Sequence, residues 1–280
     1  MYLLFDVGGT KTRIALSSDG ESFGEAVKFD TPADFDEGIA KFVTEAKQLS
    51  QGVELRAAGG GASGPMSPDK SMLVNAPNLP GWNYKPLQER LATELGVPVF
   101  LNNDAAIVGL GEAHAGAGRG YDIVAYMTVS TGVGGARIVS GKIDTNRYGF
   151  EPGHQIIDID QSICADCPSS EAEGTVSGTA TAKRFGMKAY EVTDPAVWEE
   201  LSRWTAVVVN NTVVHWSPDV VVLGGSMIVG DPAIPIERIE AHLKDILTIY
   251  PETPAIRRAE LADIGGLHGA LAYVKQCHEL

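Results

Sequence analysis

The sequence repeats one short pattern, FDVGGTKTRIA at residues 5–15 and VSTGVGGARI at residues 129–138. In each copy an apolar run enters a glycine turn and a second apolar run leaves it. Because glycine adopts the backbone angles of tight turns, each copy predicts two strands joined by a glycine turn. Two such units, one early in each half of the chain, indicate an internal duplication.

Outward from these units, strands and helices alternate, which predicts an α/β fold. Helices are predicted where apolar residues recur at helical spacing, as Phe35, Ile39 and Phe42 do. The stretch 59–86 is rich in Gly, Pro, Asn and Ser, which predicts loop or irregular structure. The predicted strands are residues 1–6, 12–17, 53–58, 97–101, 124–129, 133–139 and 219–223, and the predicted helices are residues 34–50, 104–115, 196–216, 234–247 and 264–275.

The composition of the 280-residue chain is that of a globular protein, with 44% hydrophobic and 21% charged residues, and its formal net charge is −14. Such acidity disfavours nucleic acid and anionic membranes as partners. No apolar run approaches the ~20 residues of a membrane span, and residues 1–6 lack the basic region of a signal peptide. Three cysteines are too few for a disulfide framework, so we expect a reducing, cytoplasmic setting.

The glycine turns are candidate phosphate-binding loops, because main-chain N–H groups in such turns can approach an anion closely. Asp6 ends the first predicted strand, where its carboxylate could hold Mg²⁺ through water. A third glycine turn follows the strand 219–223, where small residues would let a flat adenine lie against the chain. Taken singly, each of the first two turns is better explained as an ordinary hairpin turn, and the third is equally a plain strand-to-helix turn. The duplication, the hydroxyls in both turns and Asp6 favour phosphate binding. The nucleotide-binding candidates are Gly8, Gly9, Thr10 and Lys11, then Thr131, Gly132 and Gly134, then Gly224 and Gly225.

Several motifs in chain order resemble those of the ROK family (repressor, open reading frame, kinase), within the actin-like ATPase superfamily. The two phosphate motifs are DVGGTKT at residues 6–12 and STGVGG at residues 130–135; the further landmarks are APNLPGW at 76–82, NNDAA at 102–106, EPGH at 151–154 and SGTA at 177–180. The resemblance spans about residues 1–275. It implies a two-lobed actin-like ATPase (ribonuclease H-like) fold with duplicated βββαβα lobes and an interlobe cleft. The lobes would be residues 1–113 with 267–280, and residues 114–266.

The resemblance also implies an ATP- and Mg²⁺-dependent sugar kinase with a hexose as acceptor, working as a homodimer. Phosphorylating an alcohol requires removal of its proton, and Asp104 falls at the family's catalytic base position. Asp104 also follows a predicted strand and could serve as a helix N-cap, a role compatible with catalysis. The matching sugar-binding positions are Gly64, Asn78, Asn103, Asp104, Glu151, His154 and Glu173.

The chain departs from the family at the stretch where many relatives bind structural Zn²⁺. Their pattern C-x-C-G-x-x-G-C-x-E reads CADCPSSEAE at residues 164–173 here, and only Cys164 falls in register. A four-ligand site from His154, Cys164, Cys167 and Glu171 stays conceivable. Because two of three thiolates are missing in register, we expect the loss of zinc rather than its retention.

The substrate and even the catalytic function have alternatives. The stretch at residues 76–82 favours glucose, converted to glucose 6-phosphate in glycolysis, while N-acetylmannosamine, N-acetylglucosamine, mannose and fructose stay open. Family repressors carry a helix-turn-helix before the first phosphate motif, for which a motif beginning at Asp6 leaves no room. A non-catalytic sugar sensor would need neither Asp6 nor Asp104. Acetate or glycerol kinases fit EPGH less well, and a polyphosphate donor would favour a basic groove.

Overall fold

The structure, a computed structural model, describes residues 1–278 and divides them into two compact units. The first unit contains Met1–His114, the short segment Thr145–Gly149 and the chain from Asp263 onward. The second contains Ala115–Asp144 and Phe150–Ala262. Over the residues described, no helix is both long and apolar enough to cross a membrane.

The first unit is built on a sheet with the strand order β3-β2-β1-β4-β5. Strand β1 pairs antiparallel with β2 and parallel with β4, β2 pairs antiparallel with β3, and β4 pairs parallel with β5. The strands are β1 (Tyr2–Val7), β2 (Lys11–Ser17), β3 (Val27–Asp30), β4 (Ala57–Ala62) and β5 (Val99–Asn103).

The second unit repeats this sheet, with the order β10-β9-β6-β7-β8. Strand β6 pairs antiparallel with β7 and parallel with β9, as β1 does with β2 and β4. The strands are β6 (Ile123–Val129), β7 (Val133–Val139), β8 (Lys142–Ile143), β9 (Val220–Gly224) and β10 (Ala255–Arg258). The matching order and directions confirm the duplication predicted from the two glycine turns.

Helices cover the sheets of both units. In the described residues they are α1 (Phe35–Ser50), α2 (Leu87–Leu95), α3 (Asp104–Ala115), α4 (Ala172–Val176), α5 (Gly178–Phe185), α6 (Pro195–Trp216), α7 (Ser226–Val229), α8 (Ile236–Ile246) and α9 (Gly265–His278). Short 3₁₀ turns lie at Pro80–Trp82, Pro152–His154, Ala189–Glu191 and Ala262–Ile264. Helix α3 has the predicted bounds.

Local chemistry explains where helix α1 begins and which face it buries. The Asp34 carboxylate accepts a hydrogen bond from the N–H of Glu37 at 3.0 Å, so it satisfies one of the unpaired donors of the first turn. The buried residues Phe35, Ile39 and Phe42 recur at helical spacing and form one apolar face. That face packs into the core of the first unit, beside Phe5 of β1.

The strand predicted at residues 53–58 is wrong: β4 begins at Ala57 and continues through three glycines that we had assigned to a loop. A Cβ on Gly59 would lie 2.8 Å from the Cβ of Val274, and one on Gly61 would lie 2.8 Å from the Cα of Asp104. Gly59 and Gly61 carry no side chain because helices α9 and α3 pack directly on the strand backbone there. A glycine run at this strand therefore reflects close packing and not a loop.

Strand β5 also lies later than predicted, at Val99–Asn103 and not at residues 97–101. Asn102 and Asn103 are thus strand residues, paired with Gly61 and Ala62 of β4. The next residue, Asp104, already begins α3, so strand and helix join without a loop.

Candidate active site

The first glycine turn joins β1 to β2 in the first unit. The N–H of Gly8 donates to the carbonyl of Lys11 at 3.0 Å, and the Thr31 hydroxyl donates to the carbonyl of Gly8 at 2.9 Å. Within residues 1–278, the N–H groups of Gly9 and Thr10 have no hydrogen-bond acceptor. Exposed, unpaired main-chain donors in a glycine turn are the groups that bind phosphate oxygens.

Two side chains border this turn. The exposed ammonium of Lys11 forms an ion pair with the Asp30 carboxylate. Because an exposed pair of this kind contributes little, the ammonium can exchange Asp30 for a phosphate group. On the other side lies Asn78, whose Cβ would be 2.5 Å from a Cβ built on Gly9. A predicted phosphate turn and a predicted sugar contact therefore touch within one unit.

Asp6 lies near the end of β1 with its carboxylate largely enclosed. Its Oδ2 is 3.9 Å from Nη1 of Arg13, whose Nη2 donates to Asp263 at 2.8 Å. A Cβ on Gly266 would lie 2.9 Å from the Asp6 carboxyl carbon, so glycine there makes room for it. Burial raises the pKa of Asp6, Arg13 opposes the rise and Asp263 adds to it. A carboxylate oxygen in this position fits the water-mediated Mg²⁺ contact predicted from the sequence.

The start of α3 carries the candidate base. Asn103 is the N-cap: its Oδ1 accepts from the N–H of Ala106 at 3.1 Å, and its Nδ2 donates to the carbonyl of Gly64 at 3.0 Å. The suggestion that Asp104 caps this helix is therefore wrong, because Asp104 is already the first helical residue. Oδ1 of Asp104 accepts from the N–H of Ala105 at 2.9 Å, which fixes the orientation of the carboxylate.

The loop that carries Asn78 is tied to the same strand end. Asn103 bonds the carbonyl of Gly64, and a Cβ on Gly64 would lie 2.6 Å from the Cβ of Ala76. The side-chain oxygen of Asn83 accepts from the N–H of Ala76 at 2.6 Å. These contacts bring Gly64, Asn78, Asn103 and Asp104 into one region of the first unit, together with the first glycine turn.

The second glycine turn joins β6 to β7 in the second unit. The N–H of Ser130 donates to the carbonyl of Gly132 at 2.8 Å. The beginning of α5 bonds to the turn, with Gly178 N–H donating to Ser130 at 2.7 Å and Thr179 N–H to Thr131 at 3.3 Å. The first N–H groups of α5 therefore hold the second glycine turn in place.

Glu173, predicted as a sugar contact, also supports this second turn. Its Oε2 accepts from the N–H of Val133 at 2.8 Å, and a Cβ on Gly132 would lie 2.5 Å from the same oxygen. Gly134, predicted as a nucleotide contact, lies inside β7, paired with Thr128, and not in the turn itself. The glycines of this motif therefore serve packing as well as the turn.

The third glycine site lies beside the second one. Gly224 ends β9, and Gly225 adopts φ +85° at the start of α7, a conformation that favours glycine. A Cβ on Gly225 would collide with the carbonyl oxygen of Val129 at the end of β6. The hydroxyls of Ser226 and Ser130 are 3.1 Å apart. Two motifs separated by about ninety residues thus meet at one end of the second sheet.

A cavity of about 780 Å³ opens where these elements meet, bordered by Thr131, Gly178, Thr179 and Ser226. Its size suits a nucleoside, and hydroxyl and main-chain groups line the end nearest the second glycine turn. Sequence reasoning missed the more distant walls, because no motif marks them. The missed residues are Ala182, Lys183, Lys188, Ala189, Tyr190, Trp198, Met227, Gly230, Asp231 and Pro232.

The predicted sugar motif forms the 3₁₀ turn Pro152–His154 in the second unit. Burial raises the pKa of Glu151, His154 opposes the rise, and the neighbouring Glu173 adds to it. Nδ1 of His154 lies 3.2 Å from Oε2 of Glu171. Glu151, His154 and Glu173 are therefore neighbours and could together donate to and accept from adjacent hydroxyls.

The stretch expected to hold zinc is organised differently. Cys164 and Cys167 form a disulfide, contrary to the expectation that the cysteines stay reduced, and both are buried in the core of the second unit. The buried Asp158 carboxylate accepts from the N–H groups of residues 163 and 164 at 3.0 and 2.9 Å. Residues 1–278 contain no group of three or more His, Cys, Asp or Glu side chains able to hold a metal ion. The residues present therefore do not fit a zinc site.

Comparison with known proteins places these observations in a family. The ROK family profile matches residues 2–277. The chain is 30% identical to a glucokinase of Thermotoga maritima, in an alignment that covers 66% of this chain and 60% of the relative. It is also 30% identical to a putative fructokinase of Bacillus subtilis, in an alignment that covers 79% of this chain and 76% of the relative. It superposes on the crystal structure of a ROK hexokinase from Thermus thermophilus with a TM-score of 0.84 at 27% identity, over 100% and 99% of the two chains. The chain therefore belongs to the ROK family and has the actin-like ATPase fold of its kinases.

Proposed function

We propose that this protein is an ATP-dependent sugar kinase that transfers the γ-phosphoryl group of MgATP to a hexose hydroxyl, with glucose as the favoured acceptor and glucose 6-phosphate as the product. The observation that carries the proposal is the placement of Asp104. It is the first residue of α3, directly after a strand, with Oδ1 held by the N–H of Ala105. The sugar-kinase class is common to the named relatives, whereas the sugar differs between them.

The second unit supplies the binding site for the nucleotide in this proposal. The 780 Å³ cavity would take the adenosine, and the second glycine turn, with the Thr131 hydroxyl, would bind phosphate oxygens. Mg²⁺ would neutralise charge on the phosphates and on the transition state. Asp6 would hold this ion through water, while Lys11 and the open amides of the first turn contact the phosphates.

The first unit supplies the base. As the phosphoryl group arrives, the proton of the attacking sugar hydroxyl moves to the carboxylate of Asp104. Because phosphoryl transfer is largely dissociative, the proton moves late and the base need not be strong. The contribution of Asp104 therefore depends on its position, which the bond from Ala105 and the cap by Asn103 maintain.

Sugar recognition is assigned to polar groups that can read a polyol. Asn78 and the remaining donor of the Asn103 amide lie in the first unit, and Glu151, His154 and Glu173 cluster in the second. Glu173 already accepts from Val133 through one oxygen, so its sugar contact would use the other. Because the relatives include kinases named for glucose and for fructose, N-acetylhexosamines, mannose and fructose remain alternative acceptors.

Two further parts of the proposal rest on family resemblance and chemistry. We expect a homodimer, which light scattering of the purified protein would test. We expect the enzyme to work in the cytoplasm, because its donor MgATP is abundant there.

A panel assay tests the function. ADP release with MgATP is measured across glucose, mannose, fructose and the N-acetylhexosamines, and the phosphorylated product is identified by ³¹P NMR. The proposal predicts sugar-dependent turnover with one sugar clearly preferred. Binding of a sugar by calorimetry without turnover on any member of the panel would instead indicate a sugar sensor.

A further inference from the structure

A chain of hydrogen bonds connects the C-terminal helix α9 to the strand end that precedes Asp104, entirely inside the first unit. The Tyr273 hydroxyl on α9 donates to the carbonyl of Leu101 at 3.2 Å and accepts from Nδ2 of Asn102 at 3.4 Å. The side-chain oxygen of Asn102 in turn accepts from the N–H of Asn103 at 2.9 Å. One phenolic oxygen therefore ties together the last three residues of β5.

The surroundings keep this chain intact. Asn102 is only 6% exposed, so its amide has little access to water as a substitute partner. Burial raises the pKa of Tyr273 to about 12; the neighbouring Cys277 adds to the rise, and the Asn102 contact opposes it. The raised pKa favours the protonated hydroxyl, which can serve as donor and acceptor at once.

We propose that Tyr273 is a positioning residue for the phosphoryl transfer, acting on Asp104 through Asn102 and the backbone of β5. This proposal rests on the proposed role of Asp104 as base. Asn103 caps α3, and Asp104 is the next residue, so any shift of residues 101–103 moves the carboxylate. On the β4 side there is no room to compensate, because a Cβ on Gly61 would already lie 2.8 Å from the Cα of Asp104.

None of the predicted site residues lies on this part of α9, and Tyr273 belongs to no motif recognised in the sequence. The strand alone cannot fix its own end, because the carbonyl of Leu101 and the Asn102 amide need partners from outside the sheet. Helix α9 supplies both partners with one side chain. A phenylalanine would fill the same space but could supply neither.

The test compares Tyr273→Phe with Tyr2→Phe. Tyr2 is the control because it also lies in the first unit and its hydroxyl also contacts α9, at 3.5 Å from Nδ1 of His278. We expect Tyr273→Phe to lower kcat about tenfold with an unchanged KM for ATP, since misplacement of a base by a fraction of an ångström acts on the chemical step. Tyr2→Phe should leave kcat unchanged. Equal kcat values for Tyr273→Phe and wild type would overturn the proposal.

A double-mutant cycle separates positioning from loss of stability. Tyr273→Phe and Asn102→Ala break the same chain, so the double variant should lose no more kcat than the worse single variant. A purely structural role would lower the melting temperature of all three variants while leaving kcat per folded molecule near that of wild type. If the fold-loss of kcat in the double variant equals the product of the two single losses, the two residues act independently, and the proposal is contradicted.

Hydrogen–deuterium exchange keeps the inference testable apart from the proposed function. Peptides covering residues 99–106 should exchange faster in Tyr273→Phe than in wild type or Tyr2→Phe, whether or not the enzyme turns over a sugar. Absence of turnover in wild type would defeat the proposed function. Unchanged exchange over residues 99–106 would defeat the inference about Tyr273 by itself.

Discussion

The side chain of Asp104 is confined by neighbours that carry no chemistry of their own. Gly61 is the clearest case, because any side chain there would push against the Cα of Asp104. Gly61 lets β4 and α3 approach closely. A side chain at this position should therefore lower kcat.

Gly61→Ala should therefore lower kcat by roughly ten- to a hundredfold, because the added methyl displaces the base. Steady-state kinetics on folded protein, with a thermal melt alongside, measures this. Gly24→Ala is the control, since a Cβ there meets only the Leu16 carbonyl, at 3.9 Å. Equal losses from both alanines would mean that Asp104 is not the group affected.

Burial raises the pKa of Glu151 and so shifts the pH range over which it is charged. The neighbouring Glu173 carboxylate adds to the rise that burial causes in the pKa of Glu151. If Glu151 accepts a hydrogen bond from the sugar as a carboxylate, kcat/KM for the sugar rises as pH rises through this elevated pKa. In Glu173→Gln one charge is gone, while the amide oxygen can still accept from Val133. The rise should therefore occur at lower pH than in wild type, and an unshifted pH profile would contradict the proposed sugar contact.

At the residue scale, the sequence predicts candidate side chains for the site but not which of their atoms already have hydrogen-bond partners. Asn103 was predicted as a sugar contact, and its amide proves to cap α3 and to hold Gly64. Glu173 likewise bonds the second glycine turn. The bonds to Gly64 and Val133 join residues 39 and 40 positions apart in the chain, and no local pattern encodes them.

At the scale of elements, glycine marks two different structural needs. In β4 it makes room for helices α3 and α9, whereas Gly225 provides a left-handed backbone and room for the end of β6. The difference between these needs can be measured with one pair of substitutions.

Gly225→Ala should raise the KM for ATP and destabilise the protein, because the added Cβ collides with the Val129 carbonyl beside the cavity proposed to bind adenosine. Gly186→Ala is the matched control: it also has a positive φ of 66°, but nothing lies within 4 Å of an added Cβ. Gly186→Ala should lower the free energy of unfolding, measured by chemical denaturation, by only the strain of a left-handed alanine, about 1–2 kcal/mol. The KM for ATP should not change. A normal KM for ATP in Gly225→Ala would exclude this turn from the donor site.

Elements with strong periodicity or a clear turn could be predicted from the sequence, as for α1, α3 and β7. Strand β4 could not, because its glycines have no β propensity and are explained only by the helices that pack on them. Helix α2 and strand β3 were also missed, since neither carries a motif or a long apolar pattern. The cavity walls beyond Thr179 are set by tertiary packing alone.

At the scale of the whole molecule, the repeated strand order shows that the two units share one architecture. The duplication was readable from two glycine turns because those turns occupy equivalent places, between the first two strands of each sheet. The disulfide was not readable, because two cysteines three residues apart are equally a metal half-site.

The disulfide leads to a prediction about metal content. Because the sulfurs of Cys164 and Cys167 are bonded to each other, protein purified without reductant should contain no stoichiometric zinc by elemental analysis. EDTA should leave its melting temperature unchanged. A zinc-finger protein whose melting temperature falls in EDTA is the control for chelation. One zinc ion per chain would show that His154 and its neighbours rearrange into a zinc site.

The most direct test of the account is sugar-dependent ADP release by Asp104→Asn beside wild type, with binding of the preferred sugar and of ADP followed by calorimetry. The amide keeps the shape of the side chain and an oxygen for the Ala105 N–H but cannot take the proton. If Asp104 is the base, kcat should fall about a hundredfold or more, while the affinities for the sugar and for ADP stay within a few-fold of wild type. Turnover close to wild type in Asp104→Asn would show that another group is the base and would contradict the proposed role of Asp104.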